Sequence, residues 1–480
     1  MFGSSLEPPE LVLTMMIKVN KVPSTNQMST RLKFENLPGI PGIWIDFLNS
    51  RIPLSPLLRN LNALAARADV LTRHAEGIED WYNQFTNSSG ISRGRTVESH
   101  LRLQQKGTVA VLTCLSPVLF GGPAFQIFKC LTAVKINEEL VRRGFSAVPV
   151  CWIRDSATMD LPIESIRLLD SDSELQSLQL QQSVAKEYSP SDVLPEDQLC
   201  NLLSRISAAG RDAFDPETLE ILAASVQPGT TFVQASARLM TALMEEWGMI
   251  VLDPSAPDTR ILLQRKAAES PNDRLPEAVV QSAVLPVAIR VMDPCEIQPF
   301  VDSLPAFDAL KLLPPMAWPQ ASCTLVDSRS RKILELYDLD LYQLFSGGEA
   351  IGRRFRDEMP KQVSAKLLAL KNESDRRIAR LGAFYPGENG VAKTAAAARE
   401  KIGFQLTRLQ ERFDNACRRR QEMMNRRFNR VCNALAPNGH IQERELAGIQ
   451  WPLRYSRGVL RSIYEKLDIA SSEHQLLFMD

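Results

Sequence analysis

Histidine is scarce in this 480-residue chain: there are four (His74, His100, His440 and His474), and none lies near a cysteine at metal-ligand spacing. No metal site is therefore expected. The eight cysteines are scattered, with no C-x-x-C pair, so neither a redox dithiol nor a disulfide framework is expected. Net charge is missing too. Fifty-six Lys+Arg face 56 Asp+Glu, so whole-chain electrostatics give no reason to bind nucleic acid or an acidic membrane. The first residues have no basic stretch ahead of the apolar run 11–17 and no small-residue cleavage site, which argues against a secretory signal and makes the cytoplasm the expected location. What is present is ordinary for a folded protein: 44% hydrophobic and 23% charged residues, on a length that calls for two or three domains.

One run stands out. In 107-GTVAVLTCLSPVLFGGPAFQIFKC-130 no charge appears between Lys106 and Lys129. Pro117, Gly121, Gly122 and Pro123 sit at its centre, where a membrane-spanning helix would lose hydrogen bonds that lipid cannot replace, so the run is not a span. It divides into a β-branched strand at 108–113, a turn at 117–123 and a helix at 124–140 with apolar spacing at Ile127, Cys130, Val134, Ile136 and Leu140. A second apolar run, 147-AVPVCWI-153, predicts the next parallel strand, making 108–153 one βαβ unit. Ligands of open α/β sheets sit beyond the carboxyl ends of such strands, here at loops 114–123 and 154–160. Two readings of Gly121-Gly122 stand together: an anion-binding loop, or a plain turn into the helix.

The rest of the chain falls into distinct stretches. Residues 1–27 read as a loose extension, and 28–350 as the α/β core with inserts. Within that core, 171–200 is Ser/Gln-rich and reads as irregular, followed by an acid-capped helix from Asp215. In 351–480 the apolar spacing changes. Val363, Leu367, Leu370, Ile378 and Leu381 recur in steps of three and four, and after 386-PGENG-390 the pattern resumes from Ile402 through Leu435. Two long helices joined by a tight turn form an antiparallel coiled-coil hairpin, whose long apolar stripe predicts a homodimer. Ten Lys/Arg against four acidic residues between Arg399 and Arg430 make its second arm basic. RNA could lie along such a face, but no aromatic residues interleave to stack on bases. The preferred reading is a solvated flank paired with acids such as Glu373 and Asp375, so nucleic acid is not an expected partner.

Five stretches in order carry a resemblance: Thr113, Leu119-Phe120, Gly122-Pro123, Ile127 and Lys129 with 148-VPVCWI-153; 239-LMTALMEEWGMIVLDPSAPD-258; 285-LP-286 with 294-PCE-296; 318-WPQASCTLVD-327; and 435-LAPNGHIQERELAGIQWPLRYS-456 with 474-HQLLFM-479. Over residues 35–480 the chain resembles the cysteine-adding enzymes of bacillithiol biosynthesis. The resemblance implies a Rossmann-like core followed by a coiled coil involved in dimerisation. It also implies a ligase joining the cysteine carboxylate to the amine of glucosaminyl malate, with ATP or ADP as the expected cofactor because the carboxylate must first be activated.

The departures from the family pattern are as specific as the matches. Where the family runs Thr-Gly-Gln-Gln, this chain has Thr113, Cys114, Leu115 and Ser116. Where the family places Glu-Asp-His-Asp after the second strand, Ser156, Ala157, Thr158 and Met159 stand, with Asp160 just beyond. Gly-Gly-Pro-Gly-Glu becomes Met292, Asp293, Pro294, Cys295 and Glu296, Gln320 replaces an arginine, and the stretch between Pro257 and Val284 is short. The remaining candidates are Glu296 and Asp160 as catalytic groups, and Thr113, Gly122 and Lys129 as substrate-binding groups. Lys129 is read either as a point charge for a malate carboxylate or phosphate, or as a solvated helix lysine. Trp152 and Trp318 are expected to fill the core, and Cys114 and Cys295 to face one crevice, where they are read as small hydrophobes in preference to a redox-active thiol pair.

Overall fold

The structure, a computed structural model, describes residues 30–52, 94–154, 161–181, 188–253, 275–355, 359–384 and 389–479. The expected extension 1–27, the loop 155–160, residues 254–274 and the first part of the 386–390 turn lie outside these residues.

Ten strands are present among the described residues: β1 (Arg31–Leu32), β2 (Val109–Leu115), β3 (Ala147–Ile153), β4 (Ser165–Leu169), β5 (Leu175–Gln179), β6 (Ile250–Leu252), β7 (Val287–Met292), β8 (Met316–Pro319), β9 (Cys323–Asp327) and β10 (His474–Met479). The core is a parallel sheet in the order β6-β3-β2-β7-β8. Every residue of β2 and of β3 is buried, as expected of central strands covered on both faces. The 147–153 strand has the expected bounds, and β2 runs two residues further than the apolar run suggested. Helix α1 (Phe125–Arg142) joins them, with Ile127, Cys130, Val134, Ile136 and Leu140 all buried. Trp152 and Trp318 are core residues.

The polar stretch 171–200 is not irregular throughout. β5 lies within it, paired antiparallel to β4, and a helix begins at Glu196. The turn between the strands is built by Asp170, whose carboxylate accepts the backbone N–H groups of Asp172 and Glu174 at 2.9 Å each. The local chemistry of one aspartate decides this hairpin, and a composition count does not register it. The helix after Asp215 is as expected, with the Asp215 side chain accepting Thr218 N–H at 2.9 Å.

Helices α2 (Met359–Ala383) and α3 (Asn389–Leu435) form the coiled-coil hairpin. Arg399 pairs with Asp375 at 3.2 Å and Gln410 donates to Ser364 at 3.3 Å, a register that fits antiparallel arms. Glu373 instead pairs along its own helix with Arg377. The hairpin is rooted in the body through Phe428, whose ring packs against Tyr337 (4.8 Å) and Phe355 (5.4 Å). Close approach there requires glycine: a Cβ on Gly348 would come within 2.7 Å of the Asn429 backbone nitrogen.

After α3 the chain returns to the core. β10 runs parallel to β9, and β1 adds antiparallel to its other side. His474 fastens this strand from within: its ring nitrogens lie 2.7 Å from Ser322 Oγ and 2.8 Å from Thr324 Oγ1. Burial drives its pKa down to about 3, so the ring stays neutral.

Candidate functional site

In the sheet order, β2 leads to β3 and β6 on one side, while β7 and β8 lie on the other. The switch point of the sheet is therefore between β2 and β7, where a ligand crevice is expected beyond the carboxyl ends. Those ends carry charge. The β2 end presents the Cys114 carbonyl, Arg154 follows β3, and Asp293 and Glu296 follow β7.

Asp293 and Glu296 are set by a reciprocal cap. The Asp293 carboxylate accepts Cys295 N–H at 2.8 Å, and Glu296 Oε2 accepts Asp293 N–H at 2.9 Å. Both carboxylates then meet Lys129 from α1. Its Nζ donates to Glu296 Oε2 at 2.5 Å, to Asp293 Oδ2 at 3.1 Å and to the Cys114 carbonyl at 2.6 Å. An ammonium has three hydrogens, and all three are engaged. Lys129 is 1% exposed. It is therefore neither a solvated helix lysine nor a cation open to an incoming anion; to touch a ligand it would have to exchange a carboxylate partner.

Arginines complete the cluster. Arg154 donates to Glu296 Oε1, and its Nε lies 3.4 Å from Glu277 Oε2. Arg290, inside β7, donates to the Gln281 side chain, which in turn donates to Glu277 at 2.9 Å. Three cations thus balance three carboxylates. Burial alone would lower the Lys129 pKa, but Glu296 and Asp293 outweigh it and hold the ammonium above its usual value. Burial would likewise raise Asp293, yet Lys129, Arg444 and Arg154 hold its carboxyl well below the usual range. Both stay charged at neutral pH.

The glycine loop is occupied by protein. Ala124 N–H donates to the Leu446 carbonyl at 2.8 Å, Gly448 N–H donates to the Gly122 carbonyl at 2.9 Å, and Pro123 bridges Ala447. The returning C-terminal segment therefore covers the start of α1. A nucleotide phosphate would need the Ala124 N–H open, and the Leu446 carbonyl occupies it. The start of α1 therefore does not fit a phosphate cradle. The loop's shape is held by Gln126, whose amide accepts Ser116 N–H at 2.8 Å and donates to the Gly121 carbonyl at 3.0 Å. Gly122 has φ +64, and a Cβ there would lie 2.6 Å from Gln126 Nε2 and 2.8 Å from Val118 Cβ. Gly122→Ala is expected to destabilise the protein by about 1–3 kcal/mol, read as a lower urea midpoint.

Of the residues singled out from sequence, Lys129 and Glu296 are in direct contact, Thr113 and Gly122 lie on the adjoining strand and loop, and Asp160 is outside the described residues. Thr113 is fully buried, and its hydroxyl has no hydrogen-bond partner among the described residues. Cys114 and Cys295 do not share a crevice in the expected way: Cys114 Sγ lies 3.5 Å from Gln281 Oε1 in the core, whereas Cys295 is exposed and lines a separate cavity. Arg154, Arg290 and Glu277 were not singled out. Arg290, a cation inside an otherwise apolar strand run, was the readable signal, because a charge buried in a central strand must be paired.

Two family models match the chain in order: the N-terminal Rossmann-like domain of the bacillithiol biosynthesis protein BshC over residues 59–274, and its C-terminal coiled-coil domain over 323–479. The chain belongs to the BshC family. Relatives curated under the name "Putative cysteine ligase BshC" include one from Solibacter usitatus, 23% identical over 88% of this chain and 93% of its own length. Those from Koribacter versatilis (21%; 75% and 82%) and Salinibacter ruber (23%; 79% and 84%) are similar. Family membership thus covers both the parallel-sheet core and the helical hairpin, at an identity low enough for site residues to differ.

Proposed function

We propose that this chain is a divergent cysteine ligase of bacillithiol biosynthesis, which joins cysteine to glucosaminyl malate through an amide bond. The observation that carries the reading is the match of both BshC domains, in order, on a chain whose charged side chains gather at the switch point of its sheet. Amide formation needs a base to take the ammonium proton and donors for developing negative charge. The Lys129–Glu296–Arg154 cluster is internally neutral and saturated, so its part is to hold the ends of β2, β3 and β7 in register around the crevice. The family's histidine and carboxylate cluster has become Ser156, Ala157, Thr158 and Met159, none of which is a base at neutral pH. Turnover is therefore slow in this reading. The test supplies cysteine, glucosaminyl malate and ATP, and follows the thiol product by mass spectrometry. Little or no product is expected, and rapid ATP-dependent formation would show that the site is intact. A second reading, a non-catalytic dimeric scaffold, is favoured by the same saturation; it gains if a strain lacking its own cysteine-adding enzyme is not rescued.

The homodimer belongs to this proposal. Leu368, Leu370, Leu381, Phe384, Phe404 and Leu409 are exposed along the two arms, beyond what the hairpin covers by itself. Phe413, by contrast, is half-buried. Light scattering at micromolar concentration is expected to give twice the chain mass, and Phe404→Glu with Leu409→Glu the monomer. A monomeric wild type would remove the dimer from the proposal.

A further inference from the structure

Segment 437–445 leaves the coiled coil and passes the carboxyl end of β7. Two of its residues are anchored inside. Gln442 accepts Leu325 N–H at 2.8 Å and donates to the Leu325 and Ala434 carbonyls at 2.9 and 2.7 Å. Glu443 accepts Ser322 Oγ at 2.7 Å and Cys323 N–H at 2.9 Å. With these two held, the next two residues project to the other side. Glu445 pairs with Arg167 at 2.7 Å and accepts Asn438 Nδ2 at 3.1 Å. Arg444 lays its guanidinium over the Phe125 ring, 4.2 Å from the centroid.

Beside Arg444 is a cavity of about 200 Å³, closed by the 38–41 turn, Pro294 and Cys295, and lined further by His440 and Glu445. The charges around it can be followed one by one. Glu445 is neutralised by Arg167. Asp293 and Glu296, behind the cavity wall, are balanced within the Lys129 cluster. Glu443 faces neutral donors. Arg444 feels the buried Asp293 and Glu443 carboxylates at a distance but makes no ion pair or hydrogen bond with either among the described residues, so its N–H groups remain open at this cavity. Stacking on Phe125 fixes the plane of the guanidinium and leaves its edge N–H groups to meet a planar anion, the geometry in which arginine binds carboxylate or phosphate with two parallel hydrogen bonds. At 200 Å³ the space is below the roughly 300 Å³ at which drug-sized pockets begin, so it suits one acidic group and not a whole nucleotide.

We propose that this cavity is the seat for the anionic group of a small acid, a carboxylate or a phosphate, held by Arg444 with His440 beside it. The assignment deepens the ligase reading, on which it rests for placing the substrate at the strand ends, by giving the acidic part of the substrate a position next to β7.

Cys295 provides the readout, since its exposed thiol lies on the cavity wall and an occupant would shield it. Full-length protein is treated with iodoacetamide while L-malate or inorganic phosphate is titrated, and labelling of Cys295 is followed by peptide mass spectrometry against exposed Cys200. The expected result is that one or both anions slow Cys295 labelling and leave Cys200 unchanged. Arg444→Gln should raise the half-protecting concentration about ten- to a hundredfold, and Arg444→Lys less, because it keeps the charge but loses the fork. Protection by malate alone assigns a carboxylate, and protection by phosphate alone a phosphate. Wild-type labelling indifferent to both anions at tens of millimolar would overturn the proposal, as would protection unchanged in Arg444→Gln that melts like wild type. Its failure is distinct from that of the ligase reading: product formation without protection removes only this seat, and protection with no product even after the family's residues are restored at 156–159 leaves the seat and removes the ligase.

Discussion

Lys129→Met is expected to lower the unfolding free energy by about 3–5 kcal/mol, because it leaves Asp293 and Glu296 buried without their shared cation. Total stabilities of about 5–15 kcal/mol make this a large fraction, so the variant should melt many degrees lower or fail to accumulate. The carboxylates cannot simply be hydrated: Asp293 and Glu296 are 0% and 3% exposed. Two consequences follow within the cluster. Arg154 still faces Glu296, so the loss should concentrate at Asp293, whose only direct cationic partner among the described residues is Lys129. Adding Asp293→Asn to Lys129→Met should then recover part of the stability, since the unpaired charge is removed. Urea unfolding of the single variant, the double variant and Lys366→Met on the exposed face of α2 measures this. Lys366→Met should stay within about 0.5 kcal/mol of wild type. A Lys129→Met cost below about 1 kcal/mol would mean that the cluster is wetter than its geometry implies.

Restoring the family's polar cluster should raise product formation on the order of 10²–10⁴-fold, which is the value of one well-placed general base. The variant carries Ser156→Glu, Ala157→Asp, Thr158→His and Met159→Asp, and is assayed with cysteine, glucosaminyl malate and ATP beside wild type. Lost bases lower rate more than binding, so the gain should appear in kcat with little change in KM. A wild type that already turns over briskly, or a restored loop that gains nothing, would show that the four departures do not limit the reaction.

Much of the core was legible because its signals are local. A strand buried on both faces is an unbroken apolar run, and 147–153 shows one with turns on either side; a helix packed on a sheet repeats its apolar residues in steps of three and four, and 124–140 does so. The coiled-coil arms follow from the same periodicity. The β4–β5 hairpin was missed because its turn depends on the Asp170 side chain and β5 spaces Leu175 and Leu178 three apart among polar residues, which hides the period-two signal of a strand. At the site, Lys129 and Glu296 were picked out as separate groups near one crevice. Their direct pairing was not visible, because the partners are 164 and 167 residues apart in the chain.

The sequence by itself determined the elements, their parallel arrangement, the family, and which chemistry-bearing side chains depart from it. These depend on short-range patterning and on the residue types present. Only the tertiary structure decided whether those side chains are available. It turned Lys129 inward to three acceptors, laid residues 446–448 over the start of α1, and left Arg444 stacked on Phe125 with no ion pair among the described residues. The physical reason is that burial and ion pairing belong to groups that meet across the fold: a lysine in water and a lysine among carboxylates read the same in the chain, and differ only in what the other elements bring to them.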